Sequence, residues 1–185
     1  MGELVLNLSS KTGQAPHPAQ GILASVIATE RLQLHPVAPE DARKLAHGSD
    51  GRWSWLGGGP GSGTRDLAGI VERADQVGWD RPPWGLYVIV RSADGLAVGG
   101  AGFHGPPGSD GTVEVGYELA EDARGHGYAT EALRALTAHA FTHPAVHTVT
   151  ASVFPGNSAS ERVLLRIGFT RGADVDGLRR YRVDR

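Results

Sequence analysis

Cysteine is absent from all 185 residues. That excludes disulfides, thiolate metal sites and a cysteine nucleophile forming a covalent intermediate. Long apolar runs are missing too: no window approaches the roughly 20 apolar residues needed to span a bilayer. The N-terminus has no basic region followed by an uninterrupted apolar core, so no secretory leader is expected and the cytoplasm is the expected compartment. Charge of one sign is also lacking. With 18 basic and 20 acidic residues the formal net charge is −2, which provides no basic field for a nucleic acid. Lysine is nearly absent, with Lys11 and Lys44 against sixteen arginines, a bias from which no function follows. What is present, 40% apolar and 21% charged residues, suits one globular domain.

The first 28 residues mix a short apolar run with the loop-like SSKTGQAPHPAQG and read as a loose arm. A single domain is expected over 29–185. It begins where Leu32 and Leu34 alternate with polar neighbours, as in a half-buried strand. Pro39 opens a helix over PEDARKLAHG, with acids in its first turn and Gly48 placed to stop it. After a glycine-rich stretch bearing Trp53 and Trp55, Thr64 or Asp66 is placed to cap a helix running to about Val77. Strands are expected over about 84–91, 96–104 and 112–119, joined by short turns as an antiparallel meander. A helix over about 127–141, the strand HTVTASVF, a helix over SASERVLLRIG and a closing strand RRYRV complete a mixed α/β domain.

Three glycine-bearing segments compete as phosphate sites. GGGPGSGT, Gly57 to Thr64, imitates a P-loop, but it lacks the phosphate-binding lysine and no strand leads into it. GAGFHG, Gly100 to Gly105, matches the dinucleotide fingerprint but runs into PPGSDG instead of a helix. RGHGYAT, Arg124 to Thr130, has strand, loop and amphipathic helix in the required order. A helix start presents unpaired N–H groups and the positive end of the dipole, and glycines at 125 and 127 clear the approach to them. A plain strand-to-helix turn is the competing reading of this loop.

From about Thr29 to Val183 the chain resembles the GNAT superfamily of N-acetyltransferases, and within it the Rim-type subgroup that acetylates ribosomal-protein N-termini. The resemblance rests on four motifs in order: TERLQLHPVAPEDARKL, EVGYEL, RGHGYA and FPGNSASERVLLRIGF. RGHGYA fits the superfamily's CoA motif, Arg or Gln followed by x-x-Gly-x-Gly or Ala, with Arg124, Gly127 and Ala129 at the specified places. The resemblance implies the GNAT acyl-CoA N-acyltransferase fold, a central mixed and mostly antiparallel sheet flanked by helices. It implies acetyl-CoA as co-substrate, a primary amine as acceptor (peptide or protein N-terminus, or a small molecule) and direct transfer in a ternary complex, which suits the missing cysteine. A homodimer follows only by analogy, and a CoA-binding module without turnover is the alternative.

The same resemblance assigns residues. Arg124, Gly125, His126, Gly127, Tyr128, Ala129 and Thr130 would wrap the pyrophosphate. Asn157 would contact the pantetheine arm, unless it only caps a helix. Arg162 and Arg166, one turn apart, are placed for the 3′-phosphate, with a solvated helix face as the competing reading. Glu114 matches the subgroup's acidic position and is the first candidate for the base. Strand alternation puts Glu118 on the same face, so it competes. A backbone N–H between Tyr117 and Leu119 would polarise the thioester oxygen. Many superfamily members carry a tyrosine seven residues after the asparagine, where this chain has Leu164, so Ser160 is the local candidate to protonate the departing thiolate. His139, His143 and His147 suggest a zinc face but lack an acidic partner, and no metal is expected. Of Trp53, Trp55, Trp79 and Trp84, at least one is placed to line an amine pocket, with core packing as the competing reading.

Overall fold

A run as apolar as LYVIVR belongs in a sheet covered on both faces. In the computed structural model, which describes residues 25–76 and 83–185, this run is β3 (Leu86–Arg91), buried at its first five positions. Its side chains alternate between two cores. Tyr87 and Ile89 pack in one cluster with Leu133 and Leu136, while Leu86, Val88 and Val90 pack in the other with Leu45 and Leu67.

Around it, β1 (Ile27–Ala28), β2 (Leu32–Pro36), β4 (Ala97–Phe103), β5 (Thr112–Leu119), β6 (Thr148–Val153), β7 (Thr170–Arg171) and β8 (Arg179–Asp184) form an eight-stranded sheet in the order β1-β2-β3-β4-β5-β6-β8-β7. Every pairing is antiparallel except β5 with β6. Helices α1 (Pro39–Ala46) and α2 (Ser62–Gln76) cover one face, and α3 (Tyr128–Thr142) and α4 (Ser158–Arg166) the other. This is the mixed α/β architecture expected. Two short strands went unread: β1, whose residues fell in the expected arm, and β7. Two-residue strands have no periodicity to detect. Residues 1–24 of the arm and Trp79 lie outside the described residues. No helix among the described residues is long and apolar enough to cross a membrane.

The glycines of GAGFHG have a packing role. A Cβ on Gly102 would sit 2.3 Å from the Gly85 carbonyl oxygen, and one on Gly100 would sit 2.8 Å from the Thr64 side chain. Gly100 thus lets the first turn of α2 lie directly on the sheet, opposite Glu118 in the β4–β5 register. Gly100→Ala is expected to cost about 1–3 kcal/mol by overpacking, lowering the melting temperature by roughly 2–10 °C. Thermal unfolding checks this, and an unchanged transition would contradict the close approach.

Candidate active site

The sheet is nearly divided at its centre. β5 and β6 pair only through Thr112–Thr148, Val113–Val149 and Glu114–Thr150. Beyond Glu114, β5 stays paired with β4 as far as Leu119, and β6 stays paired with β8 as far as Val153. The two strands therefore part, leaving edges with backbone N–H and C=O groups that need partners. A small cavity lies in the gap, lined by Val115, Gly116, Tyr117, Ala151, Val153 and Leu164 among others. It adjoins a cleft of about 400 Å³ that runs from Tyr117, Glu118 and Leu119 past Arg124, Gly127 and Thr130 to Asn157, Ser160, Arg162 and Arg166.

The start of α3 forms one wall of this cleft. Gly125 and Gly127 have φ of 81° and 82°, in the left-handed region that favours glycine. Gly127 is the N-cap, and no side chain caps the helix. The first bond back into the turn runs from Glu131 N–H to the Gly127 carbonyl, 3.1 Å, so the amides of Tyr128, Ala129 and Thr130 precede the helical ladder. Exposed Arg124 reaches back toward the split, its Nε donating to the Leu119 carbonyl at 3.3 Å. His126 is also exposed; its Nδ1 lies 2.9 Å from the Arg124 carbonyl, and its ring stacks on Tyr128.

A clamp that the sequence reading missed holds this loop. Glu131 Oε1 accepts from Thr29 Oγ1 (2.6 Å) and the Arg31 amide (2.8 Å), and its Oε2 accepts from Arg31 Nε (2.7 Å). Arg31 Nη1 also donates to the His126 carbonyl at 2.9 Å, and the guanidinium lies over the Tyr128 ring. The turn before β2 is thereby tied to the first turn of α3. Thr29 and Arg31 lie about a hundred residues from Glu131, so no local spacing could reveal the contact.

The two carboxylates of β5 have different surroundings. Glu118 Oε2 accepts from the Thr64 amide (2.9 Å) and Thr64 Oγ1 (3.2 Å) at the start of α2. The expectation that Thr64 or Asp66 caps α2 is corrected: the helix begins at Ser62, and a carboxylate from the sheet serves its first turn. Glu114 lies near the apex of the split. Its Oε1 accepts from Ser152 Oγ and from Arg180 Nη1 (3.2 Å), while its Oε2 lies 3.9 Å from His104 Nδ1. Burial holds the His104 imidazole below its ordinary pKa, with the Glu114 charge opposing and Arg180 assisting. His104 Nε2 is buried and has no hydrogen-bond partner among the described residues.

Across the gap, the Tyr117 hydroxyl donates to Ser160 Oγ at 3.0 Å. Burial raises the Tyr117 pKa, partly offset by that bond, so the phenol stays protonated. Asn157 is the N-cap of α4, its Oδ1 accepting from the Ser160 amide at 3.1 Å, and it lines the cleft as well. Capping and cleft lining coexist. The structure thus gathers Tyr117, Glu118, Leu119, Arg124, Gly125, Gly127, Tyr128, Ala129, Thr130, Asn157, Ser160 and Arg162 around one cleft, with the Glu118 carboxylate turned away to α2. His126 does not line it, and Glu114 lies in a separate cleft on the face opposite Tyr117. Trp84 packs edge-on against Phe103 in the core, while Trp53 and Trp55 pack edge-on against each other. His139 and His143 present their rings edge-on to Tyr87 and Trp84. Among the described residues no group of three or more potential ligands is placed to hold a metal.

The acetyltransferase (GNAT) domain model matches residues 31–170. The chain belongs to the GNAT acetyltransferase family. It is 32% identical over 83 residues to YjdG of Bacillus subtilis, an uncharacterized N-acetyltransferase, covering 45% of this chain and 49% of that protein. It is 34% identical to the L-2,4-diaminobutyric acid acetyltransferase of Streptomyces avermitilis over 100 residues, 53% of this chain and 55% of that protein. Each of these matches spans only about half of the relative's length. The fold is also that of the ribosomal alpha-N-protein acetyltransferase RimL in complex with coenzyme A, with a TM-score of 0.62, 16% identity, and 86% and 98% of the two chains covered.

The clamp sets a pH dependence for this GNAT domain. Burial alone would raise the Glu131 pKa, but the bonds from Thr29 and Arg31 outweigh it and hold the carboxyl below its ordinary value. A depressed carboxylate stabilises the fold at pH above its unfolded pKa, and that contribution is lost as pH falls through the folded value. Wild type is expected to melt higher than Glu131→Gln at about pH 6, with the difference shrinking by about pH 3. Melting curves across that range check the sign.

Proposed function

We propose that the protein moves an acetyl group from acetyl-CoA directly to a primary amine, with both substrates bound at once on either side of the split between β5 and β6. One observation carries this reading: the uncapped start of α3 opens at the mouth of a gap between two strands that have stopped pairing. A pyrophosphate suits the first element, since free amides and the dipole favour an anion there. The second suits an extended arm with amides of its own, which can pair with a bare strand edge. Arg124 adds charge at the pyrophosphate, Asn157 faces the pantetheine, and Arg162 and Arg166 line the end of the cleft suited to the 3′-phosphate.

The chemistry then needs two proton movements. The amine nitrogen attacks the thioester carbonyl carbon, the C–S bond breaks, and the amine loses a proton while the thiolate gains one. Glu114 is the base. Its Oε1 is taken up by Ser152 and Arg180, which orients Oε2 as the proton acceptor. Glu118 is the weaker candidate, because its Oε2 is committed to the first turn of α2. A backbone N–H along Tyr117–Leu119 polarises the carbonyl oxygen. Ser160 donates to the thiolate: its oxygen already accepts from Tyr117, which leaves its own proton to give. The phenol absent at Leu164 is thus supplied from β5 instead. The named relatives act on amines of two kinds, a protein N-terminus and an amino acid, and the acceptor is taken to be one of these.

Glu114→Gln is expected to lower turnover at least about tenfold, roughly 1.4 kcal/mol of barrier, with coenzyme A affinity retained. Arg124→Ala should show the converse, weaker coenzyme A binding by calorimetry with a smaller effect on the acceptor KM. Turnover unchanged across pH in Glu114→Gln would remove it as the base.

A further inference from the structure

The face of the sheet that carries Glu114 also carries two arginines that the donor does not need. In the register of β5, β6 and β8, Glu114 stands beside Thr150 and Thr150 beside Arg182, while Ser152 stands beside Arg180 one pleat further along. Period-two alternation puts Glu114, Thr150, Ser152, Arg180 and Arg182 on one side. Tyr181, between the arginines, is buried on the other. The row borders a cleft of about 560 Å³, separate from the one beside α3 and closed at its ends by the Gly108–Thr112 and Gly172–Asp176 segments.

The charges in that cleft are ordered. Arg180 uses Nη1 on Glu114 Oε1 and on Ser152 Oγ (2.5 Å). Arg182 uses Nη2 on Asp184 Oδ1 (2.6 Å) and on Thr148 Oγ1 (3.5 Å). A guanidinium has five N–H donors in a planar fork, so each arginine keeps donors on its other nitrogens. The Arg182–Asp184 pair is more than half exposed on both sides, and an exposed pair exchanges one partner at little cost. Glu114 and Arg182 lie two strands apart, about 10 Å between backbones, a span that both side chains shorten. Asp110 and Asp176 also line the cleft.

We propose that the acceptor is a small amine carrying its own carboxylate a few bonds away, an amino-acid-like zwitterion, with the amine at Glu114 and the carboxylate held by Arg182 and Arg180. The proposal rests on the transfer reading above and narrows its acceptor. A polyamine would bring a second cation against the two guanidinium groups, and an apolar amine would desolvate them without replacing their hydrogen bonds. A peptide N-terminus has no carboxylate at this distance from its amine unless an acidic side chain supplies one. The carboxylate takes no part in bond making. It fixes the register of the amine, an effect carried by binding and orientation.

Release of free thiol from acetyl-CoA tests this with matched acceptor sets. Each set comprises 2,3-diaminopropionate, 2,4-diaminobutyrate or ornithine, the corresponding amino-acid amide, and the diamine lacking the carboxyl group. Peptides with free N-termini and spermidine complete the panel. The expected result is that in at least one set the carboxylate form has a kcat/KM about tenfold or more above both its amide and its diamine, as for a site built around a polar group. Arg182→Ala should bring that ratio close to one by raising the KM of the acid. Equal rates for acid, amide and diamine in every set would overturn the proposal. So would a preference for peptides or spermidine, or an undiminished ratio in Arg182→Ala, and in those cases the acetyl-transfer reading stands. Thiol release with no member of the panel would overturn both.

Discussion

Three residue pairs hold the two halves of this sheet together. β1 to β5 form one block and β6, β8 and β7 another, and among the described residues the only strand pairing between them is the short parallel contact Thr112–Glu114 with Thr148–Thr150. Beyond it each block keeps its own pairing on the far side, so the split is a boundary between two ordered but unpaired edges and not a frayed region. The cores below must then bridge what the strands do not. Val113, Val115, Val149, Ala151 and Val153 all join the cluster built on Ala132, Leu133 and Leu136 of α3. One helix thus spans the junction on its apolar face, while its uncapped N-terminus opens on the cleft beside the gap. The helix that closes the core beneath the split is also the one that presents the uncapped amides to the cleft.

Two glycine-bearing helix starts face this region, and their contrast explains why only one is open. At α2, Gly61 lets the chain lie against the Glu118 side chain, whose carboxylate fills the position an external anion would take. At α3 the acidic residue of the first turn, Glu131, turns away from the helix start to bind Thr29 and Arg31. Arg31 in turn holds the loop through the His126 carbonyl. An internal anion satisfies the first site. In the second, the potential internal anion is occupied elsewhere, which leaves the amides of Tyr128 to Thr130 for a ligand.

Features encoded by neighbouring residues could be read directly from the chain. β5 runs Thr112–Leu119 as expected, because its alternation is undisturbed and turns bound it on both sides. The start of α3 was legible because Gly125 and Gly127 announce a backbone that other residues rarely adopt. Contacts made across the fold were not legible. Nothing near Glu131 points to Thr29, and nothing near Tyr117 points to Ser160, forty-three residues on. The partners of Glu114 come from three other segments, at His104, Ser152 and Arg180. RRYRV was legible as a closing strand, but only the β6–β8 register brings Arg180 and Arg182 to the face of Glu114. Sequence pattern thus reached the side of the cleft that one loop and one helix build. The other side is assembled from three strands and lay beyond its reach.

The alternation of a strand provides the division of labour on the reading advanced here. In β5, Tyr117 turns toward Ser160 and α4 while Glu114 and Glu118 turn to the opposite face. A donor lying along the gap therefore meets a proton source on one side of the sheet and a proton acceptor on the other. Direct attack needs the reacting atoms about 3–3.5 Å apart, an approach that an opening between two unpaired strands permits. No enzyme nucleophile has to carry the acyl group across, because nothing lies between donor and acceptor once the strands have parted. The lack of cysteine therefore leaves no step unfilled: the split in the sheet replaces a covalent intermediate with a shared opening.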